Sequence, residues 1–229
     1  MPPSYSQCIM NSVKWSYSSM KDYVNCPKQY HEVKVLKRFA KKPTQQMLYG
    51  TAVHSALENY VKDGTPLAKN YQQYAKQLDP LREMQGVKYP EHQMALDIKL
   101  TPCKFGSPDY WVRGIVDLLV VDGEQGFIID YKTGSNKYPD PKQLQLMALL
   151  TFAHFPEVEH IKAGLLFVVH EHFVTSEYSR RDIDKLWGDF TPTLERMRLS
   201  YKNDSWQANP TPLCGWCPVS SCEFHRERT

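Results

Sequence analysis

The 229-residue chain lacks any apolar run near the roughly 18 residues that a membrane span requires, so no membrane partner is expected. Its first twenty residues, with Pro2, Pro3 and scattered polar side chains up to Trp15, contain no apolar leader segment. These absences predict a soluble, intracellular, cytoplasmic protein, in the host cytoplasm if its source is viral. Charge of one sign is scarce too. With 28 Lys and Arg against 25 Asp and Glu, the net charge of +3 does not by itself signal nucleic acid. No Gly-x-x-x-x-Gly-Lys-Ser/Thr phosphate loop occurs, so any ATP-driven motor acting with this chain is a separate partner. Internal repeats and low-complexity linkers are also missing, and 41% hydrophobic with 23% charged residues argues against disorder. The length predicts one sizeable core, hence a single domain over 1–229.

What is present is an ordered change of period. Trp15 to Tyr23 reads as a short helix opened by a serine cap and ended near Cys26-Pro27, with a second helical stretch over 28–39. Over 44–62, Met47, Leu48, Val53, Leu57, Tyr60 and Val61 recur at helical spacing until Asp63-Gly64 closes the helix. A polar helix is expected over 66–84. The period then shortens to that of strands at 92–100, 110–121 and 127–131, the last two joined by a hairpin over 122–126. A helix over 141–155, strands over 161–170 and 172–178, and a long polar helix over 180–202 precede a tail rich in proline and cysteine. A meander, a crossover helix and a further strand predict an α/β fold, with a mixed central sheet flanked by helices.

The most telling segment is Ile129-Asp130-Tyr131-Lys132-Thr133-Gly134. Alternate side chains of a strand share a face, so Asp130 and Lys132 project together and set an oxygen ligand for a hard cation beside a fixed positive charge. That pair suits phosphodiester hydrolysis, in which a lysine orients water or offsets developing charge. Asp117 sits in the neighbouring, otherwise apolar strand, where a carboxylate is costly unless paired or metal-bound; an aspartate facing solvent at a sheet edge is the alternative. His54 and Glu58 are spaced i, i+4 on the helix over 44–62 and share a face, and Gly50 permits close approach of another backbone. A lone helical histidine is otherwise an ordinary structural or surface residue. Gln143 and Gln145 open the helix after the Asp-x-Lys strand and can reach the same place, though glutamines at a helix start need no function.

Taken in order, His54 in Gly-x-x-x-His, Asp117 in Gly-x-x-Asp, Asp130-Tyr131-Lys132-Thr133-Gly134 and Gln143 in the next helix resemble the RecB-type branch of the PD-(D/E)xK nucleases, over nearly the whole chain. Ser16 to Met20 and Cys26-Pro27-Lys28-Gln29-Tyr30 look like the opening segment of that branch. The resemblance implies a restriction-endonuclease-like core. In it, His54, Asp117, Asp130 and the backbone carbonyl of Tyr131 hold Mg²⁺ or Mn²⁺, and Lys132 activates water or stabilises the pentacovalent transition state. The chain departs from the branch at Met147, four residues after Gln143, where a tyrosine is usual; this bears on how Gln143 positions DNA.

Cys214, Cys217 and Cys222 form Cys-x2-Cys-x4-Cys, three soft ligands that need a fourth, for which Cys26 is the candidate. These four suit a structural zinc ion or an iron–sulfur cluster equally well, or hold nothing. One early and three late cysteines are similar to the iron–sulfur nucleases of the superfamily, including the CRISPR-associated adaptation nucleases and the nuclease domain of AddB. That resemblance implies a 4Fe-4S cluster clasping 1–43 and 203–229 around a nuclease core of 44–202. Cys8 and Cys103 are left as free thiols. Lys34, Lys37, Arg38, Lys41 and Lys42 form a basic cluster, read either as a nucleic-acid contact or as a solvated helix face. Trp15, Tyr17, Tyr23, Tyr30 and Trp216 are candidates to stack bases, although most aromatic residues belong in a core. The expected function is that of a Mg²⁺- or Mn²⁺-dependent deoxyribonuclease, an exonuclease on single-stranded DNA or DNA ends in recombination, repair or DNA processing. The alternatives are a catalytically silent nucleic-acid-binding or assembly subunit, or the nuclease subunit of a helicase–nuclease complex.

Overall fold

The computed structural model describes residues 13–137 and 139–226; Cys8 lies outside the described residues. The chain divides into two compact units, one of Thr44–Trp187 and one of Met1–Pro43 with Gly188–Thr229. Helices along the described residues are α1 (Tyr17–Asn25), α2 (Pro27–Tyr30), α3 (Gln45–Asp63), α4 (Ala75–Glu83), α5 (Lys142–His154), α6 (Ile183–Gly188) and α7 (Thr191–Asn203). None of them is long and apolar enough to cross a membrane.

The unit of Thr44–Trp187 is built on a mixed six-stranded sheet. Its strands are β1 (Val87–Leu96), β2 (Pro102–Cys103), β3 (Val112–Asp122), β4 (Gln125–Lys132), β5 (His160–Phe167) and β6 (His172–Ser179), in the spatial order β2-β1-β3-β4-β5-β6. The β3–β4 hairpin pairs Asp122 with Gln125 across Gly123, whose φ of 55° suits glycine. Only β4 and β5 run parallel, because α5 carries the chain back between them. On one face, Val53, Leu57 and Val61 of α3 and Leu78 of α4 bury against Leu118 and Val120 of β3 and Ile129 and Tyr131 of β4. On the other lies α5, buried at every position from Leu144 to Phe152. A helix enclosed on all sides carries no polar stripe, so its sequence reads as apolar rather than amphipathic.

Several expected elements differ, among them the helix over 28–39, which is α2 followed by a π-helical turn over His31–Val35, and the strand over 161–170, which ends at Phe167. The helix expected over 66–84 shrinks to a single tight turn at Gln72–Tyr74 and the nine residues of α4. β1 starts at Val87 rather than 92 and ends at Leu96, and β2 is an added two-residue strand. The helix expected over 180–202 is divided, because Pro192 belongs to the first turn of α7 and cannot continue a preceding helix.

In the other unit, a capping box at Ser16 starts α1, with Ser16 Oγ accepting from the Ser19 amide at 3.3 Å. The unit's helices are tied by phenols: Tyr23 Oη meets Ser200 Oγ at 2.8 Å, and Tyr30 Oη meets Tyr201 Oη at 2.9 Å. The Trp206 ring stacks on His31 at 4.3 Å. These contacts place α7 with the terminal segments, so the C-terminal division falls at Gly188 instead of near 202. Trp15, Tyr17, Tyr23 and Tyr30, read as possible base-stackers, are buried core residues, whereas Trp216 is 66% exposed. The basic cluster is partly neutralised. Lys34 and Lys41 pair with Asp22 at 3.6 and 2.8 Å, and Arg38 with Glu32 at 3.6 Å.

Candidate active site

β3 changes the face it turns to the core at Asp117. A Cβ at Gly114 would lie 2.5 Å from Met147 and 3.0 Å from Leu150, both on α5, whereas Leu118 and Val120 lie in the core with α3. The β1–β3 ladder steps from Pro90–Leu118 to His92–Val116, leaving out Glu91 and Asp117, and Glu91 takes a left-handed φ of 44°. Such interruptions re-aim side chains. Here the break falls at Asp117, whose carboxylate turns to the Tyr131 amide and His54.

Asp117 Oδ2 accepts the Tyr131 amide at 2.6 Å and stands 3.4 Å from His54 Nδ1. Asp130 and Lys132 project together toward the start of α5, as alternate positions of one strand must. The Lys132 ammonium pairs with Asp130 Oδ2 and donates to Gln143 Oε1 at 2.9 Å, while Gln143 Nε2 donates to Asp130 Oδ1 at 2.5 Å. The three side chains therefore close a ring of charge-assisted bonds. Gln143 is drawn into it by its place in the first turn of α5. The far end of that helix is held by Arg180, whose guanidinium donates to the carbonyls of Phe152 (3.0 Å), Phe155 (2.7 Å) and Val158 (2.8 Å). Gly50 brings α3 against the end of β4, and what it meets is the Thr133 hydroxyl, 3.0 Å from an added Cβ, rather than backbone.

Two other expected members lie apart. Gln145 is buried and donates to the Leu186 carbonyl at 2.8 Å, an anchor within the core. Met147, at the position of the branch's tyrosine, is buried on Gly114 and does not enter the ring of Asp130, Lys132 and Gln143. Tyr131 presents its amide to Asp117 and sinks its ring into the core, edge-on to His54 at 6.1 Å.

Burial dominates the electrostatics. It raises the Asp117 carboxyl well above the usual carboxylate range, assisted by the Asp130 charge, and raises Asp130 although the Lys132 ammonium opposes this. Burial lowers the His54 imidazole, favouring its neutral, ligating form. Sequence reasoning passed over Glu91. It lines one cleft with His54 and Asp117, and burial, Glu58 and Asp130 push its carboxyl up. Its only trace in the sequence is an acid in the strand paired with the Gly-x-x-Asp strand.

Among the described residues, no group of three or more His, Cys, Asp or Glu is assembled to hold a metal ion. The carboxylates are engaged internally by the Tyr131 amide, Gln143 and Lys132. The donor set nevertheless suits a hard divalent cation. Asp117 and Asp130, two buried acids beside a neutral imidazole, present the oxygen and nitrogen donors whose repulsion a cation relieves.

In the terminal unit, Cys26, Cys214, Cys217 and Cys222 line one small pocket, and all four are free thiols. Backbone and amide donors point at the sulfurs: the Gln29 and Asn209 amides at Cys26 Sγ (each 3.4 Å), the Thr211 amide at Cys214 (3.3 Å) and Gln29 Nε2 at Cys217 (3.1 Å). Cys103 is a separate free thiol on β2, raised by burial.

A mixed sheet with an acid and a lysine on one strand, a second acid on its hairpin partner and a glutamine braced between them is the frame of a nuclease core. Residues 14–222 match the PD-(D/E)XK nuclease superfamily, and the chain belongs to it. Members of this superfamily generally use divalent metals. Among solved structures, a provisionally named exonuclease from Eubacterium rectale shares the fold with a TM-score of 0.52 at 14% identity, over 100% of this chain and 94% of that one. SSO0001 aligns with a TM-score of 0.46 at 16% identity, over 96% of this chain and 93% of its own. No curated protein matches the sequence at the same stringency.

Proposed function

We propose that the protein is a Mg²⁺- or Mn²⁺-dependent deoxyribonuclease, an exonuclease acting on single-stranded DNA or DNA ends in recombination, repair or DNA processing. The observation that carries this reading is the closed contact of Asp130, Lys132 and Gln143 beside the Asp117–His54 pair. Asp117, Asp130, His54 and the Tyr131 carbonyl would hold the cation, which when bound supplies Lewis acidity and a more acidic water. The chain's own residues prepare the rest. Gln143 fixes the Asp130 carboxylate and the Lys132 ammonium in one geometry, so that little reorganisation is needed when charge grows on a phosphate oxygen. Lys132 offers that oxygen a point charge, and His54, kept neutral by burial, offers a lone pair. The exonuclease reading rests on the RecB-type resemblance.

We also propose that Cys26, Cys214, Cys217 and Cys222 carry a 4Fe-4S cluster. The shared pocket and the N–H groups aimed at the sulfurs support it, since such bonds tune and hold cluster thiolates. Structural zinc is the competing occupant.

Incubation with 5′- and 3′-labelled single- and double-stranded DNA and Mg²⁺ or Mn²⁺ tests the activity. Mononucleotides or short products released from an end are expected, with cleavage abolished in Lys132→Ala and Asp130→Ala proteins that melt cooperatively. Activity that persists in either variant removes the assigned centre. Iron in the anaerobically purified protein is expected, and stoichiometric zinc without iron overturns the cluster.

A further inference from the structure

Beyond the acids, β3 presents a second set of side chains on one face. Arg113, Ile115 and Asp117 alternate with Val112, Gly114 and Val116, which are buried. Ile115 is 38% exposed, an isoleucine left in water in the middle of a sheet, and it lines the cleft that holds Asp117 and His54. From the N-terminal turns of α3, Met47 (55% exposed) and Tyr49 (43% exposed) line the same cleft. Tyr49 is no loose surface ring: its hydroxyl meets that of Tyr74 at 3.0 Å, and it packs edge-on to Tyr71 at 6.3 Å. The cleft thus combines a catalytic end with fixed apolar surface, which a base's π face fits and a phosphate does not.

Arg113 extends this face from the opposite end. Its guanidinium lies over both the Phe105 ring, at 4.8 Å, and the Tyr110 ring, at 4.5 Å. One nitrogen reaches the Phe105 carbonyl at 3.4 Å, and no carboxylate pairs with it among the described residues. A cation ordered by two rings without an acid partner is prepared for an anion from outside. Four residues of strand separate it from Asp117, on the order of 13 Å, a few nucleotides of extended chain.

We infer that a single DNA strand leaving the Asp117–Asp130 centre runs along the outer face of β3, with an unpaired base held against Ile115 and Tyr49 and a more distant phosphate taken by Arg113. The inference rests on the nuclease reading above and adds to it the strand's path and the residues that hold it. Ile115 and Tyr49 favour unpaired bases because a duplex keeps its base faces stacked. Arg113 supplies affinity without sequence preference.

The test is fluorescence anisotropy with a labelled oligo-dT strand and with a duplex of the same length, over a salt series in Mg²⁺, in a Lys132→Ala background. Arg113→Ala is expected to weaken single-strand binding about tenfold and to flatten the dependence of log K on log salt by about 0.7, the single-strand value for one phosphate. Arg113→Lys should recover most of the slope, which a purely structural role for the side chain would not predict. Ile115→Asn is expected to weaken single-strand binding about tenfold with the slope unchanged and duplex binding little affected. Parental affinity and slope in these variants, in a protein whose Lys132-containing form still cleaves DNA, overturns the track and leaves the nuclease reading standing. If the Lys132-containing protein neither cleaves nor binds DNA, both fall.

Discussion

Asp117 is placed where a carboxylate is both useful and uncomfortable. Its side chain is 13% exposed, and the nearby Asp130 charge adds to the cost of ionising it. A folded-state pKa raised in this way means that the unfolded chain gives up the proton first. The stability owed to this group is therefore present below the ordinary carboxylate range and lost as pH rises toward the folded value. Asp130 and Glu91 act in the same direction, and His54, lowered by burial, acts oppositely as pH falls through the histidine range. In EDTA, Asp117→Asn is expected to melt at higher temperature than the parent near pH 7, with the difference shrinking toward pH 4, while losing cleavage. Melting curves over that range check it, and parallel curves would refute the burial argument. The Asp130–Lys132 side of the centre was legible because a period of two puts both on one face. Glu91 and the exposed set of Asp117 were not, because both depend on an interrupted ladder that no local pattern announces.

At the scale of elements, the site depends on where α5 starts, and α5 is held from its other end. Arg180 satisfies three carbonyls, one in the last turn of the helix and two just past it, and also pairs with Glu159 at 3.0 Å. Removing it leaves acceptors at the helix end without their charged donor, at a cost of about 2 kcal/mol. Arg180→Ala should show that loss in urea unfolding, together with weaker cleavage, since Gln143 rides on the same helix. A full loss of stability with unchanged cleavage would mean that Gln143 is positioned independently. The order of strands and crossover helix was readable from the change of period, and the ends of α3 from Thr44 and Gly64. The region over 180–202 misled because charged residues continue through it while Pro192 restarts the helix. The 66–84 segment misled because its polar composition fits a loop as well as a helix.

At the scale of the whole molecule, four sulfurs separated by nearly the full length of the chain line one pocket. A metal or cluster held by all four would close a loop of roughly 200 residues, restrict the unfolded chain and make its binding and the folding of that unit one equilibrium. Cys26→Ser should lose iron and expose the segments around Met1–Pro43 and Gly188–Thr229 to protease while Thr44–Trp187 stays resistant. Iron retained in full by this variant would place the fourth ligand elsewhere. The spacing of the late cysteines made the trio legible, and Cys26 reads as its companion from the family resemblance rather than from any local pattern; the fold lines one pocket with all four. The interruption at Asp117 also decides which positions of β3 tolerate substitution. Because β3 hands its side chains from one layer to the other there, Arg113 and Ile115 stand outside the packed interior, whereas every residue from Leu118 to Val121 is locked within it. The two outer positions can therefore be substituted without repacking the interior, so one strand holds a tolerant half and a constrained half divided at a single aspartate.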